Sequence, residues 1–169
     1  KMSIDDEALC HDTSCPKACR CIGYSILCLG YSMANSLLSS VFKAIKVIIL
    51  RNDTLNRWPK GSYQLKRILW LDMSFNRIEK ISRKNFIYYN TLTYLDIGFN
   101  IITVFKKFAF LGLGHLQTLK LDRNPITCLD TNAFTGLLSF RQLDLQNHKI
   151  NMILPKAFDG LQISKLNLS

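Results

Sequence analysis

One spacing recurs along this chain and leaves few folds open to it. With Asn76 as origin, Ile68, Leu71 and Met73 lie eight, five and three residues before it, and Ile78, Ile81 and Phe86 lie two, five and ten after. Asn100 repeats the pattern with Leu92, Leu95, Ile97, Ile102, Phe105 and Phe110, and Asn124 does so with Leu116, Leu119, Leu121, Ile126, Leu129 and Phe134. These origins are 24 residues apart, and the shared pattern is LxxLxLxxNxIxxIxxxxF. Two further copies change the origin itself. Asp53 stands among Ile45, Ile48, Leu50, Leu55, Trp58 and Tyr63, and His148 among Phe140, Leu143, Leu145, Ile150, Ile153 and Phe158. A sixth copy opens with Ile163, Leu166 and Leu168.

A fixed period of this length marks stacked units, none of which buries its apolar face alone. The LxL segment alternates inward and outward as a short strand does, so successive copies stack their strands into a parallel sheet. An asparagine at the origin suits a tight turn, where its short amide bonds backbone groups that no strand satisfies. The Phe column at 86, 110, 134 and 158, with Tyr63, is expected to fill the convex side of the core. Asp53 and His148 read as substitutes in the turn. The pattern resembles the leucine-rich repeat in consensus and in length. The resemblance implies an α/β solenoid with a curved parallel sheet on its concave face, covering residues 41–169.

Ahead of the first copy stands CPKACRCIGYSILC, with Cys15, Cys19, Cys21 and Cys28 spaced x3, x1 and x6. Four thiolates can hold zinc, although a pair spaced by one residue is unusual for a structural site, and no Cys-x-x-Cys is present for redox exchange. As a disulfide set, four cysteines allow three connectivities. The spacing resembles the cysteine-rich N-terminal cap of extracellular leucine-rich-repeat proteins, which would occupy residues 15–40. That family implies the pairs Cys15–Cys21 and Cys19–Cys28, and disulfides belong outside the cytosol. Sequons at Asn52 and Asn167 agree with that compartment. Cys128 reads as a partly buried free thiol.

Residues 1–14 are acidic, with Lys1 against Asp5, Asp6, Glu7 and Asp12. No basic and apolar leader opens them, so the start is expected to lie inside a longer chain. SIDDEALC resembles the tail of an LDL-receptor class A module, in which Asp6 and Glu7 would help hold calcium and Cys10 would pair upstream. Without that module, residues 1–14 are an acidic linker, and the fragment itself needs no metal or cofactor. The order of module tail, cysteine cap and leucine-rich repeats resembles the ectodomain of leucine-rich-repeat G-protein-coupled receptors, of the relaxin-receptor kind or the snail kind with several class A modules. The short link between Cys10 and Cys15 is closer to the snail type. This resemblance implies membrane helices beyond Ser169, placement on the extracellular side of the plasma membrane, and an extracellular peptide or protein ligand on the concave face.

In that fold the outward strand positions form columns. Six before each origin stand Val47, Trp70, Tyr94, Thr118, Gln142 and Lys165; four before stand Ile49, Asp72, Asp96, Lys120, Asp144 and Asn167; two before stand Arg51, Ser74, Gly98, Asp122, Gln146 and Ser169. Trp70 and Tyr94 beside Asp72 and Asp96, with Asp122 and Asp144 farther along, suit a ligand presenting a cation beside an apolar side chain. Aspartate is also frequent at this strand position in the consensus of the resembled family, and the LD dipeptides here can be read as that consensus alone. Phe75 and Phe99 are read as packing residues. A net charge of +10 is concentrated in residues 41–90, with eleven Lys or Arg against three carboxylates. Those cations read as a solvated outer face, or as a glycosaminoglycan surface at Lys80, Arg83 and Lys84 in a rival adhesion or matrix protein. An immune-type recognition receptor is a second rival. No nucleophile, metal set or phosphate loop pairs with His11, His115 or His148, so the chain reads as no enzyme. Nucleic acid is not an expected partner, and no apolar run approaches the ~20 residues of a membrane span.

Overall fold

The computed structural model describes residues 19–28, 45–52, 54–58 and 66–167. Cys10, Cys15, Asp6, Glu7, Asp53, Tyr63, Leu168 and Ser169, which carried expectations above, lie outside the described residues. Strands β1 (Cys19–Ile22) and β2 (Ser25–Cys28) form an antiparallel hairpin, and β2 pairs in parallel with β3 (Val47–Ile49). Onto β3 are added in parallel β4 (Trp70–Asp72), β6 (Tyr94–Asp96), β8 (Thr118–Lys120), β10 (Gln142–Asp144) and β12 (Lys165–Asn167), completing an eight-stranded sheet. Two-residue strands β5 (Lys80–Ile81), β7 (Val104–Phe105), β9 (Cys128–Leu129) and β11 (Met152–Ile153) form a second, four-stranded sheet on the other side of the coil. Among the described residues no helix is long and apolar enough to cross a membrane.

The register follows the period. Leu71, Leu95, Leu119 and Leu143 sit opposite one another and are fully buried, and the next in line, Leu166 on the last strand, is exposed. The origin asparagines form a buried ladder. Asn100 donates from Nδ2 to the carbonyls of Met73, Ile97 and Gly98, and its Oδ1 accepts from Ile78 N at 2.9 Å. Asn124 repeats this with Ile97, Leu121 and Asp122, and accepts from Ile102 N at 3.0 Å. One amide thereby satisfies backbone groups in two repeats. His148 holds the same place but reaches only Asn124 O, through Nδ1.

The opposite wall is aromatic. Phe86, Phe110, Phe134 and Phe158 stack with centroids 5.5–5.7 Å apart. Phe105 meets Phe110 and Phe134 edge-on, and Trp58 closes the column against Phe86. Coils leave this wall through left-handed turns. Gly112 has φ +114, and a Cβ there would lie 2.8 Å from Phe86 O, so only glycine fits. One repeat instead forms a single helical turn, α1 (Arg83–Phe86), where Asn85 Oδ1 accepts from Ser82 N at 2.7 Å.

At the N-terminal end Cys19 and Cys28 face each other across the hairpin and are disulfide-bonded. Cys21 is disulfide-bonded as well. The hairpin thus continues the long sheet while being tied covalently, which suits the end of a stack whose first apolar face has no preceding repeat. Cys128 is a free, half-buried thiol on β9.

A candidate ligand-binding face

The strand register places the outward columns side by side, as their spacing predicts. Trp70 lies opposite Tyr94, then Thr118, Gln142 and Lys165; Asp72 lies opposite Asp96, Lys120, Asp144 and Asn167. Trp70 and Tyr94 stack with centroids 3.5 Å apart, and Trp70 remains 40% exposed. An exposed indole fixed by stacking can anchor a ligand with little further ordering.

The carboxylates depart from expectation. Asp72 is not presented to a ligand: it is 1% exposed, bonded to Arg51 Nε at 2.5 Å, and its Oδ1 accepts from both Ser74 N and Ser74 Oγ. Asp96 is buried too, accepting from Gly98 N and, at 3.3 Å, from the Tyr94 hydroxyl, with Lys120 Nζ 3.9 Å from Oδ2. Strand parity gives the direction of a side chain, and the neighbours in the sheet decide whether water reaches it. Each aspartate caps the bend after its strand, and Asp144 does the same for Gln146 N. Lys120 lies 5.8 Å from the Tyr94 ring centroid, so the chain's own lysine fills the seat beside Tyr94 and Asp96 that a ligand cation would take.

Asp122 and Asp144 remain half-exposed, and no salt bridge to either forms among the described residues. Asp122 leans toward Asp96 over Gly98, where an added Cβ would lie 2.5 Å from Asp122 Oδ1. Burial, and then the facing Asp144, raise the Asp122 carboxyl above its usual range. Burial likewise raises Asp96, with Asp72 adding repulsion against the pull of Gly98 N–H and Lys120. Tyr94 is raised by burial and by Asp96. Burial works against the charge of Lys120, yet Tyr94 and Asp96 together raise it. The face therefore runs from an exposed aromatic stack, over a neutralised pair, to a surplus of negative charge. Four strands at ~4.8 Å spacing separate its ends by roughly 14 Å.

Arg51 and Lys120 complete this face, although the sequence reading, which placed them in its columns, gave them no part in ligand binding. Both stood in the columns beside the aspartates, and pairing charges across adjacent strands finds them. Phe75 and Phe99 are also not core: they are 47% and 36% exposed, and they stack on each other with centroids 4.0 Å apart. Among the described residues no group of three His, Cys, Asp or Glu is placed to hold a metal ion.

Comparison with known proteins agrees with this architecture. The family model described as Leucine rich repeat matches residues 90–150 and 114–169. No curated protein matches the sequence significantly. Among solved structures, the TLR13–ssRNA13 complex superposes with a TM-score of 0.73 at 23% identity, over 76% of this chain and 18% of that one. The Toll–Spatzle complex from Drosophila gives 0.63 at 28% identity, over 68% of this chain and 15% of that one. The chain thus spans less than a fifth of either relative. By its parallel-sheet solenoid, its buried asparagine ladder and the family match over residues 90–169, this chain has the leucine-rich-repeat fold.

Proposed function

We propose that this chain is part of the ligand-binding ectodomain of a cell-surface receptor, and that it binds an extracellular peptide or protein on its concave face. The observation that carries this reading is the stacked Trp70–Tyr94 pair, with its indole exposed, one to three strands from the unpaired carboxylates Asp122 and Asp144. The ligand places an apolar side chain on Trp70 and a cation at Asp122 and Asp144, while Asp72 and Asp96 hold the bends beneath them. The Toll–Spatzle relative, a solenoid that superposes on this chain and is found in complex with a partner, lends support by analogy. Residues 15–40 serve as the cap and 41–169 as the repeats. Asn52, exposed in the turn after β3, and Asn167 are the proposed glycan sites.

The finer proposal, a receptor of the leucine-rich-repeat G-protein-coupled kind, rests on the module order at the N-terminus. Sequencing the transcript on both sides tests it. Cysteine-rich acidic modules upstream and seven apolar stretches of ~20 residues downstream are expected. A leader directly before Lys1 and a stop after a second cysteine cap would instead leave a secreted binding scaffold. That adhesion or matrix reading draws on Lys80, Arg83 and Lys84, all exposed on β5 and α1. It predicts heparin binding that weakens with salt and is lost when the three are replaced.

A further inference from the structure

Beyond the concave face, the turn that follows each concave strand builds a rim from two columns. The residues one before each origin are Asn52, Phe75, Phe99, Arg123 and Asn147, and all five have φ between 50 and 57. Their amides form a ladder: Asn52 N to Ser74 O, Phe75 N to Gly98 O, Phe99 N to Asp122 O, and Arg123 N to Gln146 O. The residues one after each origin include Arg77, Ile101 and Lys149, whose amides bond to Leu55 O, Ile78 O and Ile126 O of the preceding repeat. The buried ladder of Asn76, Asn100, Asn124 and His148 runs between these columns.

Asparagine visits the left-handed region readily and a bulky aromatic does not. At two of these positions the chain nevertheless carries phenylalanine, in that region and at the surface. Burial does not account for them, because Phe75, Phe99 and neighbouring Ile101 are all exposed. Backbone strain combined with exposed apolar surface, at a position where asparagine serves in two other repeats, points to a surface kept for contact.

Charge and ring geometry say what contacts it. Arg123 Cζ lies 5.1 Å from the Phe99 centroid, and Arg77 and Lys149 are exposed in the outer column. In sequence, the carboxylates nearest Arg123 and Arg77 are Asp122 and Glu79, and among the described residues neither arginine forms a salt bridge. The rings face each other with 17° between their planes. One face of each is therefore covered by its partner, and the second face of Phe99 by Arg123. What reaches solvent is the second face of Phe75 and the ring edges, the positive part of the aromatic quadrupole. Successive nucleobases need a row of open faces to stack on, and this rim offers only one, on Phe75. A carboxylate beside an apolar side chain meets ring edge, guanidinium and aliphatic surface together.

We propose that the rim formed by Phe75, Phe99 and Ile101, with Arg77, Arg123 and Lys149, is a second interaction surface, for a protein segment that carries Asp or Glu next to apolar residues. It is separate from the concave face and does not depend on a ligand binding there.

The test is selection of a random library of 12-residue peptides on the oxidised 169-residue chain, carrying Thr54→Ala so that no glycan stands at Asn52 beside Phe75. Winners should carry acidic residues adjacent to Leu, Phe or Trp. Their binding should weaken at least tenfold in Phe75→Asn/Phe99→Asn and in Arg123→Ala, and should be unchanged in Trp70→Ala. The asparagine variant should also melt at or above the temperature of the parent, which separates lost contact from lost fold. A library that returns no acidic winners would overturn the proposal, as would acidic winners indifferent to the asparagine variant. So would a 20-nucleotide single-stranded RNA whose binding depends on Phe75 and Phe99.

Discussion

At position 148 a histidine does the work of an asparagine, and does it incompletely. Its Nδ1 bonds Asn124 O, while its half-buried ring has no amide oxygen to offer Ile126 N, the service Asn124 gives Ile102. His148→Asn is therefore expected to stabilise the chain by about 1 kcal/mol, measured by urea unfolding. Burial also lowers the imidazole pKa, against the smaller opposing pull of Asn124 O, Asp122 and Asp144. Between the folded value and the unfolded ~6.5, the unfolded chain binds the extra proton. The contribution of His148 to stability is thus complete above about pH 6.5 and falls on acidification. The asparagine variant should flatten that part of the pH profile; an unchanged slope would place its origin elsewhere. At Asp72 the sequence gives direction without burial. Period-two parity points the side chain outward, and only the packed sheet reveals Arg51 and Ser74 around it. Asp72→Ala should cost about 1–3 kcal/mol through unsatisfied groups, and Asp144→Ala, half-exposed, distinctly less.

Single elements here are only two to four residues long, and their stability comes from neighbours. The phenylalanine column is the clearest case: Phe110 touches Phe86, Phe105 and Phe134 and is fully buried. Phe110→Ala should cost about 3–5 kcal/mol, and Phe158→Ala, half-buried near the last coil, markedly less. Equal losses would mean that the column is not the spine of the core. This column, the asparagine ladder and the strand columns were all legible in the sequence, because one period fixes their spacing. The single turn of α1 was not, since among the described residues Ser82 and Asn85 form their reciprocal contact in one copy. Phe75 and Phe99 pack on each other, but at the surface rather than in the core, because their backbone occupies the left-handed region of the turn after each strand.

As a whole the molecule behaves as a one-dimensional stack, so damage should stay local. Replacing Cys19 and Cys28 by alanine should cost about 2–4 kcal/mol and raise hydrogen exchange in β2 and β3, while β8 and β10 stay protected. Uniform loss of protection would contradict the stacked account. At this scale the fold was readable because five copies repeat its rule. The face was less so, since a ligand surface depends on which charges cancel across strands. The net +10 of the chain repels cations, so a cationic ligand has to be drawn by Asp122 and Asp144 locally. The decisive measurement uses Trp70 as reporter in a Trp58→Phe background, titrated with a ten-residue peptide of alternating arginine and leucine. The account predicts a saturable change in Trp70 emission, with affinity at least tenfold weaker in Asp122→Asn/Asp144→Asn. A peptide that leaves Trp70 unchanged, or binds that variant equally well, would contradict the concave face as the binding site.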